Sequence, residues 1–284
     1  MYAGRRRGNE VVGKVKIRNW KQFARRVRSN GCRLLSELDR FPDAVLVTGC
    51  QRSGTTMLAR TIARSPSIST YHITKDDELD AALILSGYVD YPSRGRYCFQ
   101  TTYVNECYGE YYEKLADQSM IWLIRNPYSV VYSMCVNWGS FAREELYRAC
   151  GAPVAAPSLK GGFWARRLAR RVMKACSAYN GKYRQLFELY ERMPRGRLCV
   201  LDYDQLIYRK HDVVRGLFDR LGLAYVPGIE GEVHSNSAAK ADRLAPEMTA
   251  YVEKTCATSY ERARKLVEPW AGRLEPESFG EAAR

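Results

Sequence analysis

A short loop between two glycines carries the residue types that bind phosphate groups. Gly49 and Gly54 bracket the segment Cys-Gln-Arg-Ser, and two threonines follow at once. The preceding run, Ala44 to Thr48, is short and apolar, which predicts a buried strand. The segment from Thr55 to Arg64 has apolar residues at helical spacing, which predicts an amphipathic helix. A strand, a glycine loop and a helix together aim backbone N–H groups and a helix dipole at an anion, so we predict a phosphate site here.

The loop differs from the P-loop of nucleoside triphosphatases at one position. Its glycine spacing and the hydroxyl of Thr56 match the pattern G-x-x-x-x-G-K-[ST], but residue 55 is threonine rather than lysine. The positive charge lies inside the loop, at Arg52. No strand-borne aspartate with an evident role in holding Mg²⁺ accompanies the loop, and no metal site is predicted. The pattern favours binding of a phosphate-like group over metal-assisted hydrolysis.

The run Gly-Cys-Gln-Arg-Ser-Gly-Thr-Thr-Met-Leu resembles the 5′-phosphosulfate-binding loop of sulfotransferases that use PAPS (3′-phosphoadenosine 5′-phosphosulfate). Arginine at position 52 is more similar to the tyrosylprotein and bacterial branch than to the cytosolic small-molecule branch. The resemblance implies that PAPS is the donor co-substrate and that an acceptor hydroxyl receives the sulfuryl group. The donor-binding residues that it implies in this loop are Gln51, Arg52, Ser53, Gly54, Thr55 and Thr56.

A second motif follows the apolar run Met120 to Ile124, which predicts another buried strand. Arg125 comes directly after it, where parallel sheets bind ligands. Ser133 lies about two turns into the helix that Pro127 begins. A guanidinium forms bidentate bonds to phosphate, and a hydroxyl adds one donor. Arg125 and Ser133 resemble the pair that binds the 3′-phosphate of PAPS in this family.

Two residues are candidates for the general base, His72 and Glu78. The resemblance places acceptor-site residues after the first helix, with a glutamate base in the branch that has arginine in the loop. Histidine as a residue type titrates near neutral pH, whereas Glu78 would need its pKa raised by burial. The cluster from Asp76 to Glu78 also fits the acidic first turn of a helix. The segment from Gln100 to Tyr103 lacks the histidine that other members have there.

The sequence allows more than one role for each of three other segments. The tyrosines at 103, 108, 111 and 112 fit an acceptor site or a partly buried helix equally well. The basic stripe at 166, 170 and 174 fits a solvated face or a surface for an acidic acceptor. Ser237 and Lys240 occupy the place of a late loop that closes the 3′-phosphate site in the family, and they also fit a loop that binds no ligand.

The amino-acid composition indicates the class of protein but does not identify its binding partner. The 284 residues carry a net charge of +14, which attracts polyanions of several kinds. No nucleic-acid module accompanies the charge, so nucleic-acid binding is disfavoured. The nine cysteines form no C-x-x-C pair, and the N-terminus lacks an apolar leader. We therefore expect free thiols in a cytoplasmic protein with no transmembrane segment.

These elements predict a single α/β domain at 41–272, with a central, mostly parallel sheet flanked by helices in the P-loop-like sulfotransferase fold. Residues 1–40 are interpreted as a basic lead-in with one or two helices between Trp20 and Leu38, and 273–284 as a tail. Residues 138–162 are predicted to be irregular, and Phe163 to Arg192 one long helix.

Two other functions stay open: a P-loop kinase, and a non-enzymatic protein that binds polyanions.

Overall fold

Four buried parallel strands form the centre of the fold. The computed structural model describes residues 16–30, 33–114, 118–157, 162–194, 196–233 and 243–269. The strands lie in the order β2-β1-β3-β4, and every pair is parallel. Their bounds are β1 Val45–Gly49, β2 Cys98–Gln100, β3 Ser119–Ile124 and β4 Leu198–Asp202. The prediction of an α/β fold with a parallel sheet is confirmed.

Helices connect the strands and cover both faces of the sheet. In the described part of the chain they are α1 Trp20–Arg26, α2 Thr55–Ala63, α3 Asp77–Leu85, α4 Glu110–Lys114, α5 Pro127–Val136, α6 Ser140–Cys150, α7 Phe163–Arg192, α8 Tyr203–Tyr208, α9 Lys210–Leu221 and α10 Pro246–Arg264. The long helix α7 has the predicted bounds. Helix α9 ends at Gly222, whose φ of 59° provides the left-handed C-cap that the sequence predicted.

Alternate residues of each strand face two separate hydrophobic cores. Val45 and Val47 point to one face of β1 and pack with helices α2, α8 and α9, whereas Leu46 points to the other face. The second face is covered by α3, α5, α7 and α10, and carries the larger core. This alternation follows from the two-residue period of a strand. Because every pair of strands is parallel, the carboxyl ends of all four strands lie at one edge of the sheet.

The described part of the predicted lead-in packs as part of the domain. Ile17, Phe23 and Leu34 are fully buried in the larger core. The prediction of one or two amphipathic helices up to residue 38 was too long, because α1 ends at Arg26 and the described residues that follow it form short 3-10 turns at 28–30 and 38–40. The carboxylate of Glu110 accepts the backbone N–H groups of residues 34 and 35, which replaces the bonds of a continuing helix.

The prediction that residues 138–162 are irregular was wrong for α6. Its eleven residues lie between Gly139 and Gly151, which flank the helix as its N-cap and C-cap residues. The glycines and prolines of this segment all lie outside Ser140–Cys150, so they bound the helix instead of breaking it. Buried Arg143 donates to the carbonyl of Met134 and ties α6 to α5.

Several predicted features lie outside the described residues. These are residues 1–15 of the lead-in, the tail at 273–284, and the late-loop candidates Ser237 and Lys240. Among the described helices, none has the length and apolar character that crossing a membrane requires. All eight cysteines in the described part are buried, as expected for small hydrophobic residues.

Candidate active site

A cleft of about 340 Å³ opens at the carboxyl edge of the sheet. The segments that follow β1, β2, β3 and β4 all contribute to it, because parallel strands end at the same edge. Its volume lies within the range of small-molecule sites. The residues that line it are Gln51, Arg52, Gly54, Thr55, Thr56, Met57, Arg60, Glu78, Gln100, Thr102, Arg125, Ser133, Trp138, Tyr203 and Glu232.

The two loop glycines are required by close contacts inside the protein. A Cβ on Gly49 would lie 2.5 Å from the carbonyl oxygen of Leu123, and a Cβ on Gly54 would lie 2.8 Å from the ring of Tyr203. Both glycines have positive φ, at 148° and 98°. The spacing that predicted a phosphate loop is therefore set by packing against β3 and by the aromatic residue after β4.

Arg52 occupies a strained backbone position at the tip of this loop. Its φ is 73°, and it is the one non-glycine residue with positive φ in the described part of the chain. Such a conformation costs on the order of 1–2 kcal/mol for a residue with a Cβ. It directs the guanidinium across the cleft, where Nε donates to the hydroxyl of Ser133 over 3.0 Å. Burial lowers the pKa of Arg52, and the carboxylate of Glu78 opposes that effect.

Arg125 lies beside the same loop and is 2% exposed. One of its terminal nitrogens donates to the backbone carbonyl of Arg52 over 3.3 Å. Its guanidinium lies 3.9 Å from the ring centroid of Tyr203, a cation–π contact. Its own carbonyl accepts from Tyr179 and Tyr183 on α7. The two predicted arginines therefore share one cleft, and burial lowers the pKa of Arg125.

Glu78 is held at the first turn of α3 with its carboxylate in the cleft. Asp76 caps this helix by accepting the backbone N–H groups of residues 78 and 79. The amide of Gln100 donates to one carboxylate oxygen over 3.2 Å, and the hydroxyl of Thr102 donates to the other. Burial raises the pKa of Glu78 to about 7, against a lowering effect of the Thr102 bond. Glu78 is half-buried, and its raised pKa is the condition that the sequence analysis set for this candidate base.

A buried polar network extends from Glu78 to helix α7. The amide of Gln51 donates to the carbonyl of Thr102 over 2.7 Å and to the side chain of Asn105 over 3.0 Å. The same Asn105 oxygen accepts from the ammonium of Lys182, which is fully buried. The positive charge of Lys182 lowers the pKa of Glu78. Lys182 was not selected from the sequence, because nothing in its local pattern marks it as buried.

The other predicted site residues divide into those in the cleft and those outside it. Gln51, Thr55 and Thr56 line the cleft, and the hydroxyl of Thr55 accepts from Gln100. Ser53 is fully buried and does not line the cleft. His72, the other candidate base, also does not line the cleft that contains Arg52. It is exposed and lines a neighbouring cavity of about 390 Å³, beyond the ion pair of Arg60 with Asp77.

The tyrosine patch is mostly structural. Tyr103 and Tyr111 are buried in the larger core, and the hydroxyl of Tyr111 donates to the carbonyl of Thr101. Tyr108 donates to Glu188 on α7. Arg166 and Arg170 of the basic stripe are exposed on α7, and Lys174 pairs with Glu144 of α6. None of the three lines the cleft.

Solved structures share this arrangement of strands and helices. A sulfotransferase from Alicyclobacillus acidocaldarius aligns with a TM-score of 0.50 at 13% identity, over 78% of this chain and 94% of that protein. The sulfotransferase STF9 from Mycobacterium avium aligns with a TM-score of 0.50 at 11% identity, over 82% of this chain and 79% of that protein. The chain has the sulfotransferase fold. No protein-family profile and no curated protein sequence matches it.

Within this sulfotransferase fold, the two sequence motifs lie on adjacent strands. Strand β1 pairs with β3 along its whole length, so the loop at 50–54 and the residue that follows β3 come together. Tyr203 lies on the next strand end and contacts both. The residues selected from the sequence did not include this tyrosine, although it supports Arg125. The available signal was its position immediately after β4 at the same sheet edge.

Proposed function

We propose that this protein transfers the sulfuryl group of PAPS to an acceptor hydroxyl. The observation that supports this most directly is that Arg52, Arg125, Ser133 and Glu78 line one cleft. Two guanidiniums and the N-terminal end of α2 make an anion site with several separate donors. Glu78 adds a base at the same cleft, next to the cations. This combination fits a donor with two anionic ends and an acceptor that must lose a proton.

In the proposed reaction, Arg52 and the loop N–H groups stabilise the charge that grows on the bridging phosphate oxygen. Donors oriented in this way contribute a few kcal/mol each, or roughly 10²–10³ in rate. Arg125 holds the 3′-phosphate end, and its contacts with Tyr203 and the loop carbonyl fix its orientation. Ser133, which now accepts from Arg52, supplies a hydroxyl at the same place.

Glu78 is the proposed general base. Its pKa of about 7 leaves a substantial carboxylate fraction at neutral pH, together with enough basicity to accept a proton. Gln100 and Thr102 orient its two oxygens. His72 is not assigned this role, because it lines the neighbouring cavity and not the cleft.

Nucleotide binding tests the proposal against its rivals. Wild-type protein is heated with 3′,5′-ADP, 5′-AMP, ATP with Mg²⁺, or no ligand. We expect 3′,5′-ADP to raise the melting temperature most, and Arg125→Ala to remove its advantage over 5′-AMP. Stabilisation by ATP with Mg²⁺ but not by 3′,5′-ADP would indicate a kinase. Binding of polyanions with no stabilisation by any nucleotide would indicate a polyanion-binding protein. Equal stabilisation of the wild type by 3′,5′-ADP and 5′-AMP would refute the 3′-phosphate assignment.

A further inference from the structure

The first half of α7 extends past the edge of the sheet at which the cleft opens. The hydroxyls of Tyr179 and Tyr183 donate to the carbonyl of Arg125, which follows the carboxyl end of β3. The part of α7 after these tyrosines packs on the sheet in the larger core and ends at Arg192. The residues before 179 therefore lie beyond the sheet, and at 1.5 Å per residue the segment 163–179 covers about 24 Å.

One face of this projecting part carries an aromatic ring and several arginines. Its residues follow one another at i, i+3, i+4 and i+7, so they lie on the same side of the helix. They are Phe163, Arg166, Arg167 and Arg170. All four are exposed, and the ring residue at the start of the helix is 70% exposed. We call these four residues the tip face of α7.

The arginines of the tip face act against the stability of their own helix. The first turn of α7 has no acidic residue, and cations near this end meet the positive end of the helix dipole. Like charges at i+3 and i+4 also repel one another. Within the described part of the chain, Arg166 and Arg170 form no ion pair, whereas Lys174, one turn later, pairs with Glu144. A local rule that is broken on an exposed surface is a reason to assign an anionic partner to it.

Helix α6 joins the tip face to a second basic element, α1. It packs against α7 through the ion pair just described, and against α1 through Phe141, whose ring centroid lies 5.6 Å from the ammonium of Lys21. Lys21 and Arg25 are exposed on α1, and the seven residues of α1 include no acidic one. Helices α1 and α6 also line a small pocket of about 100 Å³ beside Glu78, which adjoins the cleft. The basic surface therefore borders the cleft.

The shape and chemistry of the tip face favour a lipid bilayer over a soluble polyanion. None of its four residues lines the cleft or either of the two described cavities beside it, so the face meets a partner as a projection and not as a groove. Guanidinium groups form bidentate bonds to lipid phosphates. The ring of Phe163 has no polar group, and the acyl boundary of a bilayer can take it up, whereas a soluble polyanion leaves it in water.

We propose that the tip face of α7 binds the surface of an anionic lipid bilayer, with Phe163 at the acyl boundary and the three arginines on the phosphate groups. The exposed basic residues of α1 add to the attraction. Because the tip face extends from the cleft edge of the sheet, attachment turns that edge toward the bilayer. The attachment is peripheral, and it holds whether or not the proposed sulfuryl transfer is correct.

Co-sedimentation of the full chain with lipid vesicles tests the proposal. The protein is mixed with vesicles of phosphatidylcholine alone, or with vesicles that also contain about one third phosphatidylglycerol. We expect the wild type to bind the anionic vesicles only, and added salt to weaken that binding. A triple variant with Arg166→Gln, Arg167→Gln and Arg170→Gln should lower the partition coefficient on the order of 100-fold, since each basic residue near the surface contributes about fivefold.

A second triple variant provides the matched control. Arg94→Gln, Arg184→Gln and Arg215→Gln remove the same charge from exposed positions outside the tip face, one of them in the second half of α7. This variant should keep most of the binding. Equal losses in the two triple variants would mean that the overall charge binds the bilayer, and would overturn the proposal. Relief of repulsion should leave the melting temperature of the tip-face variant no lower than that of the wild type, which shows that it folds.

Phe163→Ala separates a bilayer from a soluble polyanion. It should lower the partition into anionic vesicles roughly tenfold, because the ring no longer leaves water, and it should leave binding to heparin unchanged. If Phe163→Ala binds the vesicles as the wild type does, the partner is a soluble polyanion and the proposal is overturned. A wild type that does not prefer anionic vesicles overturns it as well. Stabilisation by 3′,5′-ADP is measured separately, and its absence would refute the proposed function while the vesicle result stands.

Discussion

At the scale of single residues, Arg52 combines a functional side chain with a strained backbone. Its φ of 73° suits glycine better than any residue with a Cβ. The loop therefore keeps a conformation that costs stability in order to carry a guanidinium across the cleft to Ser133. Strain of this kind, observed at a cleft, is a reason to assign function to the residue.

Two substitutions at Arg52 should separate strain from function. Both Arg52→Gly and Arg52→Ala remove the guanidinium, so both should lower kcat by roughly 10²–10³. Glycine also relieves the left-handed strain, so Arg52→Gly should have a free energy of unfolding about 1 kcal/mol higher than Arg52→Ala. Denaturant unfolding and turnover with labelled PAPS measure the two effects. Arg94→Ala, on an exposed loop, is the control.

Replacement of Glu78 by glutamine should affect rate and stability in opposite directions. The wild-type rate should rise with pH through about 7, because the carboxylate is the active form. Glu78→Gln should lose this dependence and fall in kcat by roughly 10²–10⁴, with 3′,5′-ADP binding retained. A pH–rate profile of each protein checks this. A glutamine variant with the wild-type rate would exclude Glu78 as the base.

The raised pKa of Glu78 also makes a prediction about unfolding. A carboxyl whose folded pKa lies above its usual 4.5 contributes stability below that pH, and the contribution is lost as the pH rises through about 7. Glu78→Gln cannot ionise at this position. The melting temperature of Glu78→Gln, relative to that of the wild type, should therefore rise as the pH increases from about 5 to about 8.

At the scale of elements, the sequence was most informative where a pattern was local. The strand–loop–helix at 44–64 and the strand followed by Arg125 were predicted from their own residues, and both are present. The segment at 138–162 was misjudged because its glycines and prolines were counted without regard to the eleven-residue gap that α6 occupies. Lys182 and the pocket walls depend on contacts between distant elements, which local spacing does not encode.

The network from α7 to the base gives a test at this scale. Lys182→Met removes a buried positive charge that lowers the pKa of Glu78, so that pKa should rise. The acidic limb of the pH–rate profile should then move to higher pH. Lys174→Met, two turns earlier on α7 and paired with Glu144, should leave the limb in place. An unmoved limb in Lys182→Met would mean that this lysine serves packing alone.

At the scale of the whole molecule, the net charge of +14 should strengthen binding of the anionic donor. A bisphosphate nucleotide is attracted by the overall field, and salt screens that attraction. We expect the Kd of 3′,5′-ADP to rise several-fold between about 50 mM and about 500 mM NaCl. Calorimetry at each salt concentration measures this Kd, and a value that does not change with salt would contradict a role for the overall charge.

Helix α6 has a further consequence for how such a protein diversifies. It supplies Phe141 and Ala142 to the small pocket beside Glu78 but none of the residues proposed to bind the nucleotide, which come from the sheet edge, α2 and α5. Glycines bound it on both sides. Exchange of these eleven residues for another peptide of equal length would therefore reshape the walls of that pocket and leave the residues proposed to bind the nucleotide in place.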